Sequence, residues 1–217
     1  MDRINYKHIL WDWNGTLLDD VWLCIDIINV MLENRKKPNI SLQQYRDIFD
    51  FPVKGYYRKV GFDFSIEAFD KLCQDYCKEY AKRVNECKLY KYTLNILNYL
   101  CNNNISQSIL STTEQNILIR MTDMFRVNHF FKNIIGQMDL FASGKIESGR
   151  KLLTELEIDR SKVLLIGDTT HDALVAKEIG IDCVLIAIGH HAKEKLKKTE
   201  FQVIDDISDI PHYLKNK

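Results

Sequence analysis

Short apolar runs alternate along the chain with stretches whose apolar positions recur every three or four residues. That alternation predicts a parallel β-sheet covered by helices, an α/β architecture. The runs at His8–Trp13, Gln107–Leu110, Asn133–Ile135, Lys162–Ile166, Cys183–Ile188 and Gln202–Ile204 read as strands. Leu94, Leu97 and Leu100 form one helical stripe, widened by Ile96 and Tyr99, and Leu152, Leu153 and Leu156 form another. A third helix, Asp172–Ile179, stops at Gly180.

The alternation breaks once. From about Asp20 to Lys88 no stretch has a strand pattern, whereas Val21–Leu32 and Ile66–Val84 read as helices, punctuated by Phe51-Pro52 and Gly61. The first strand is therefore followed by a helical insertion before the sheet resumes. No internal repeat or low-complexity segment interrupts the pattern.

Composition narrows the function classes. Hydrophobic residues make up 46% of 217, enough for a substantial core. Lys+Arg and Asp+Glu balance at 30 each, which argues against nucleic acid as a partner. No apolar run reaches the roughly 20 residues of a membrane span, and the polar start is unlike a signal peptide. A cytoplasmic protein, monomer or homodimer, is expected. Cys24, Cys73, Cys77, Cys87, Cys101 and Cys183 match no zinc or redox spacing and read as reduced thiols.

Three polar clusters fall where strands should end: Asp12-Trp13-Asn14-Gly15-Thr16, Ser111-Thr112, and Gly167-Asp168-Thr169-Thr170-His171-Asp172. Ligands of open parallel sheets bind at those carboxyl ends. Taken singly, each has an ordinary structural explanation: an Asp caps a turn, Ser111 caps a helix with Glu114 completing a capping box, and Lys145 is solvated. Taken together they do not. Carboxylates at neighbouring strand ends repel unless a cation lies between them, and an all-oxygen set suits Mg²⁺. Gly15 would let the backbone approach a phosphate, Thr16 adds a hydroxyl, and Ser111 and Lys145 would contact the remaining phosphate oxygens.

The order Asp12-x-Asn14-Gly15-Thr16-Leu17, strand plus Ser111, Lys145, then strand plus Gly167-Asp168 and Asp172 resembles the four motifs of the haloacid dehalogenase-like (HAD-like) hydrolases. The helical insertion resembles the small cap of the phosphoglycolate phosphatase-like branch. The resemblance implies a three-layer Rossmann-like core at residues 1–18 and 88–217, with a cap at 19–87. It implies a Mg²⁺-dependent phosphatase acting on a small phosphorylated substrate through an aspartyl-phosphate. Asp12 would be the nucleophile. Asp12, Asp168 and the backbone carbonyl of Asn14 would hold the metal, supported by Asp172. Ser111 and Thr112 would face the phosphoryl group, and Lys145 would neutralise charge. In the insertion, Lys54 and Arg58 are candidates for holding an anionic tail of the substrate.

One position departs from that pattern. The family's phosphatases usually carry a second Asp two residues after the nucleophile, where this chain has Asn14, and an amide does not exchange protons as a general acid-base group must. A substrate with a good leaving group is therefore expected: an acyl phosphate, a phosphoanhydride or an aryl phosphate. His171, His190 or His191 could replace the missing acid. Three other readings stay open. A phosphonate-cleaving or dehalogenating relative would also lack the second Asp, with Lys36, Lys37 or Lys54 available for a Schiff base. A catalytically weak phosphate-ligand-binding protein would need no acid at all. A signalling receiver domain fits poorly, because such domains are shorter and phosphorylate a middle strand.

Overall fold

The computed structural model describes residues 4–137 and 144–216. The chain begins with β1 (His8–Trp11) and β2 (Leu18–Asp19), then enters a helical insertion of α1 (Val21–Glu33), α2 (Leu42–Ile48), α3 (Val53–Val60) and α4 (Phe69–Arg83). It returns through β3 (Lys88–Leu89), α5 (Thr93–Asn102), β4 (Ser106–Glu114), α6 (Gln115–Met124) and β5 (Ile134–Gln137). The last part runs α7 (Lys145–Leu156), β6 (Val163–Gly167), α8 (Thr170–Ile179), β7 (Asp182–Ile186), α9 (Lys193–Leu196), β8 (Gln202–Ile204) and α10 (Ile210–Lys215).

The sheet order is β5-β4-β1-β6-β7-β8, with every pairing parallel. From β1 the chain builds outward through β4 and β5, then crosses back to β6 on the other side. The carboxyl end of β1 thus lies at the reversal of strand order, where open α/β sheets form a crevice.

Both sheet faces are covered, which explains the nearly uninterrupted apolar strands. Side chains alternate between two cores. Ile9, Trp11, Ile109 and Ile166 pack with α5, α6 and α10, while Leu10, Leu110, Leu165 and Leu185 pack with α7, α8 and α9. The first of these cores continues into the insertion through Leu23, Ile27, Tyr45, Tyr57 and Leu72. An antiparallel ribbon of β2 and β3 (Leu18 opposite Leu89, Asp19 opposite Lys88) ties the insertion's two ends together.

Several boundaries differ from expectation. β1 stops at Trp11, so Asp12 already lies beyond the ladder. β4 runs on to Glu114 with an irregularity after Leu110, so Ser111 and Thr112 extend a strand rather than cap a helix. The cap of α6 is Glu114 itself, whose carboxylate accepts from the Asn116 and Ile117 amides. Both α2 and α3 escape the periodicity because they are only seven and eight residues long. Ser41 and Gln44 nevertheless form a capping box at α2. Among the described residues, no helix is long and apolar enough to cross a membrane.

Candidate active site

The end of β1 carries Asp12, whose amide donates to the Ile166 carbonyl at 2.9 Å and so stays level with the end of β6. Beyond β6, Gly167 is required by crowding: a Cβ there would lie 2.3 Å from Asp172 Cγ. The next turn is a capping box. Thr169 Oγ1 accepts from the Asp172 amide, and the Asp172 carboxylate accepts from the Thr169 amide and hydroxyl at 3.0 and 2.6 Å. This local motif turns Asp172 back toward Asp12. One carboxylate oxygen each of Asp12, Asp168 and Asp172 lies within 4.8 Å of the others.

Lys145, the first residue of α7, enters between two of these carboxylates. Its Nζ donates to Asp12 Oδ1 at 2.8 Å and Asp172 Oδ1 at 2.6 Å, and the residue is only 2% exposed. One ammonium does not balance three buried carboxylates. Burial, more than the fields of Asp172 and Asp168, pushes Asp12 up to about 7 against the opposing pull of Lys145. Burial also pushes Asp168 up to about 6, although His190 pulls it down. Asp172 is the exception. Burial would raise it, but Lys145 and its hydrogen bonds hold it down to about 2. Burial disfavours the Lys145 charge, yet Asp12 and Asp172 outweigh that and raise its pKa. Hard oxygen donors with an uncompensated negative charge match the preferences of Mg²⁺.

A second buried network surrounds Asn14. Its Nδ2 donates to Asp20 Oδ2 at 2.6 Å and to Tyr80 Oη at 2.7 Å, and its Oδ1 accepts from Thr113 Oγ1 at 2.5 Å. Asp20 also accepts from the Gly15 amide and the Tyr80 hydroxyl. His190 Nε2 lies 3.5 Å from Asp20 Oδ1, while Nδ1 is 2.8 Å from Tyr45 Oη. Burial would raise Asp20, but hydrogen bonds from His190, Asn14 and Tyr80 keep it below the usual range. Burial likewise opposes the His190 charge, but Asp20 and the site carboxylates push that group up to about 9. Both of its ring nitrogens are engaged, so it is not a free replacement acid. His191 accepts the Thr170 amide on Nδ1, a structural task, and burial lowers its pKa to about 3. His171 lies against the Phe51 ring, with centroids 4.7 Å apart.

Several residues expected to touch substrate have partners within the protein. Gly15, at φ +70°, leaves room for Asp168 and His190, because a Cβ would fall 2.4 Å from each. The Thr16 hydroxyl donates to Asp168 Oδ1 at 2.7 Å and is fully buried. Ser111 Oγ accepts the Thr113 amide at 3.1 Å, and Thr112, its neighbour, lines the cavity instead. Lys54 and Arg58 do not line the cavity. The Lys54 ammonium lies over the Phe64 and Phe69 rings and the Arg58 guanidinium over Phe64, where the negative ring faces attract the charges. Lys36 and Lys37 are also absent from the cavity wall, so among the described residues its lysine is Lys145.

Sequence reasoning missed Asp20, Tyr45 and Tyr80. Asp20 sits at the start of a helix, where an Asp ordinarily caps, yet it makes no side-chain cap here. The other two are ordinary helical apolar positions until folding brings them to the site.

A family model described as haloacid dehalogenase-like hydrolase matches residues 9–186, a span that contains Asp12, Lys145 and Asp172. This chain belongs to the haloacid dehalogenase-like hydrolases. A relative named phosphoglycolate phosphatase 1, from Pseudomonas aeruginosa, is 20% identical over 215 residues, covering 93% of this chain and 77% of the relative. A haloacid dehalogenase-like hydrolase structure from Streptococcus pneumoniae superposes with a TM-score of 0.80 at 19% identity, covering 96% of this chain and 99% of that one. A structure of Mycobacterium tuberculosis protein tyrosine kinase A superposes with a TM-score of 0.81, also at 19%, covering 96% and 98%. A shared haloacid dehalogenase-like fold thus accompanies differently named activities, and substrate has to be argued from the site.

Proposed function

We propose that this haloacid dehalogenase-like hydrolase is a Mg²⁺-dependent phosphatase that transfers the phosphoryl group of a small metabolite to Asp12 and then to water. The observation that carries the reading is the ion-paired Asp12–Lys145–Asp172 unit beside Asp168 at the sheet's reversal point. Asp12, Asp168 and the Asn14 backbone would hold the cation, which supplies charge neutralisation for the phosphoryl oxygens.

The chain's own groups then divide the work. Lys145 holds Asp12 in one orientation and favours its anionic form, the one that attacks phosphorus. The P–O bond to the leaving group breaks as the bond to the Asp12 carboxylate forms, and the electron pair departs on the leaving oxygen. Water next attacks the acyl phosphate at phosphorus, releasing inorganic phosphate and regenerating Asp12, with the water proton passing to solvent. Asn14 gives no proton to the leaving oxygen, since its amide is hydrogen-bonded to Asp20, Tyr80 and Thr113. The preferred leaving group is therefore one that is stable as an anion. General acid-base assistance is worth about 10²–10⁴ in rate, so alkyl esters should suffer by that order.

Phosphate release from esters of graded leaving-group pKa, with Mg²⁺ and with chelator, tests this reading. A steep dependence, lost with chelator and in Asp12→Asn, is expected. A flat dependence, or an Asp12→Asn protein that turns over normally, contradicts it.

A further inference from the structure

Over the carboxylates lies a cavity of ≈ 190 Å³ whose wall carries seven tyrosine and phenylalanine rings beside Cys24, Cys73 and Cys77. Phe49 and Phe51 come from the segment after α2, Tyr56 and Tyr57 from α3, and Tyr76 and Tyr80 from α4. The rings brace one another: Phe49 meets Tyr56 at 5.2 Å, and Tyr76 stacks on Tyr80 at 6.1 Å. Cationic groups on this wall are already matched. Lys145 is held by Asp12 and Asp172, His190 faces Asp20, and His171, against the Phe51 ring, is disfavoured as a cation by burial and by Lys145. A carboxylate or second phosphate on the substrate would therefore lose its water against aromatic faces and find no free positive charge among the described residues. An uncharged ring would instead bury apolar area and pack edge-to-face.

Size and one orphaned group point the same way. An apolar cavity of roughly 150 Å³ accepts a benzene ring, so the volume here suits one ring with its phosphoryl group reaching the carboxylates. The Tyr56 hydroxyl is buried and has no hydrogen-bond partner among the described residues, although the residue lines this cavity. A hydrogen-bonding substituent on a bound ring would satisfy it.

Resting on the phosphatase reading, we propose that the leaving group is a phenol-class aromatic alcohol, so that the site hydrolyses aryl phosphate monoesters and rejects phosphorylated carboxylic acids. Asp12 takes the phosphoryl group, the P–O(aryl) bond breaks, and its electron pair leaves on the phenolate oxygen. No proton donor is needed, in keeping with Asn14. Tyr56 and Phe51 set the fit of the ring.

The test separates ring recognition from leaving-group chemistry. Aryl and polyfluoroalkyl phosphates of matched leaving-group pKa should differ by at least about tenfold in kcat/KM, mainly through KM. Phe51→Ala should raise KM for the aryl series by a larger factor than for the fluoroalkyl series, so that the gap between the two series narrows; an equal rise in both would show that Phe51 does not read the ring. Tyr56→Phe should abolish any preference for a ring hydroxyl over a ring hydrogen. Independently of turnover, benzylphosphonate should bind to the Mg²⁺-loaded protein more tightly than phosphonoacetate by calorimetry. Equal kcat/KM in the matched series, or phosphonoacetate binding as tightly as benzylphosphonate, overturns the proposal. Failure of every ester to release phosphate would instead remove the phosphatase reading, and the phosphonate titration would still decide whether the cavity selects a ring.

Discussion

Asn14 shows what one atom decides. Its Nδ2 is a donor facing the fully buried Asp20, so an oxygen at that position would set two carboxylates 2.6 Å apart. Asn14→Asp is therefore not a simple restoration of an acid-base group. It should lower stability by about 1–3 kcal/mol at neutral pH, with part of the loss recovered under mildly acidic conditions where the pair shares a proton. Urea unfolding at about pH 5 and about pH 8 checks this; equal losses at both would show that the Asp20 contact does not govern the position. Lys145 is the complementary case. Lys145→Met removes the cation from between Asp12 and Asp172, and a loss of at least about 10²-fold in kcat/KM is expected. A mild loss would mean that Asp12 is oriented by something else.

At the scale of elements, strand ends and one helix cap assemble the catalytic groups. The α8 capping box does two jobs at once: Thr169 starts the helix and fixes the Asp172 carboxylate that receives Lys145. Thr169→Ala should cost about 1–2 kcal/mol in unfolding free energy, in the range of a lost N-cap. It should also shift the Asp172 titration upward by NMR, since the Thr169 hydrogen bond helps to hold that pKa down. A stability loss without the shift would reduce Thr169 to a cap alone.

Across the whole molecule, the insertion is clasped to the loop following β7. Arg46 on α2 donates to the carbonyls of Gly189 and Ile188 at 2.9 and 2.5 Å, Lys195 on α9 donates to the Phe49 carbonyl, and Tyr45 meets His190. These contacts place the ring wall over the carboxylates. Charge balance also acts at this scale. Asp12 and Asp168 titrate above the usual carboxylate range, so the stability each contributes is complete at low pH and is lost as pH rises through about 6 and 7. His190, raised to about 9, works in the same direction at higher pH. Below about pH 6.5 the buried His8, His171 and His191, whose pKa values are lowered by burial, act in the opposite direction, so without Mg²⁺ Tm should fall between about pH 7 and about pH 9, and Mg²⁺ should raise Tm most at the alkaline end, where its ligands are ionised. A Mg²⁺ effect that is larger at low pH would contradict a carboxylate-held ion.

Local pattern was enough to read the parallel sheet, the helices beside it, and the acidic and basic residues at its edge, because period, turn residues and strand-end position are properties of short segments. The resemblance to the family's motifs added that Asn14 stands where an acid-base Asp is usual. What local pattern could not show is that Asn14 answers to Asp20 and Tyr80, that Thr16 and Ser111 turn to Asp168 and the Thr113 amide, or that Lys54 and Arg58 lie on Phe64 and Phe69. The aromatic wall was invisible for the same reason: its rings come from α2 and the segment that follows it, from α3 and from α4, and α2 and α3 are too short to leave a periodic trace. A side chain's neighbours across 60 or 145 residues are set by packing of whole elements, and no window of sequence contains that information.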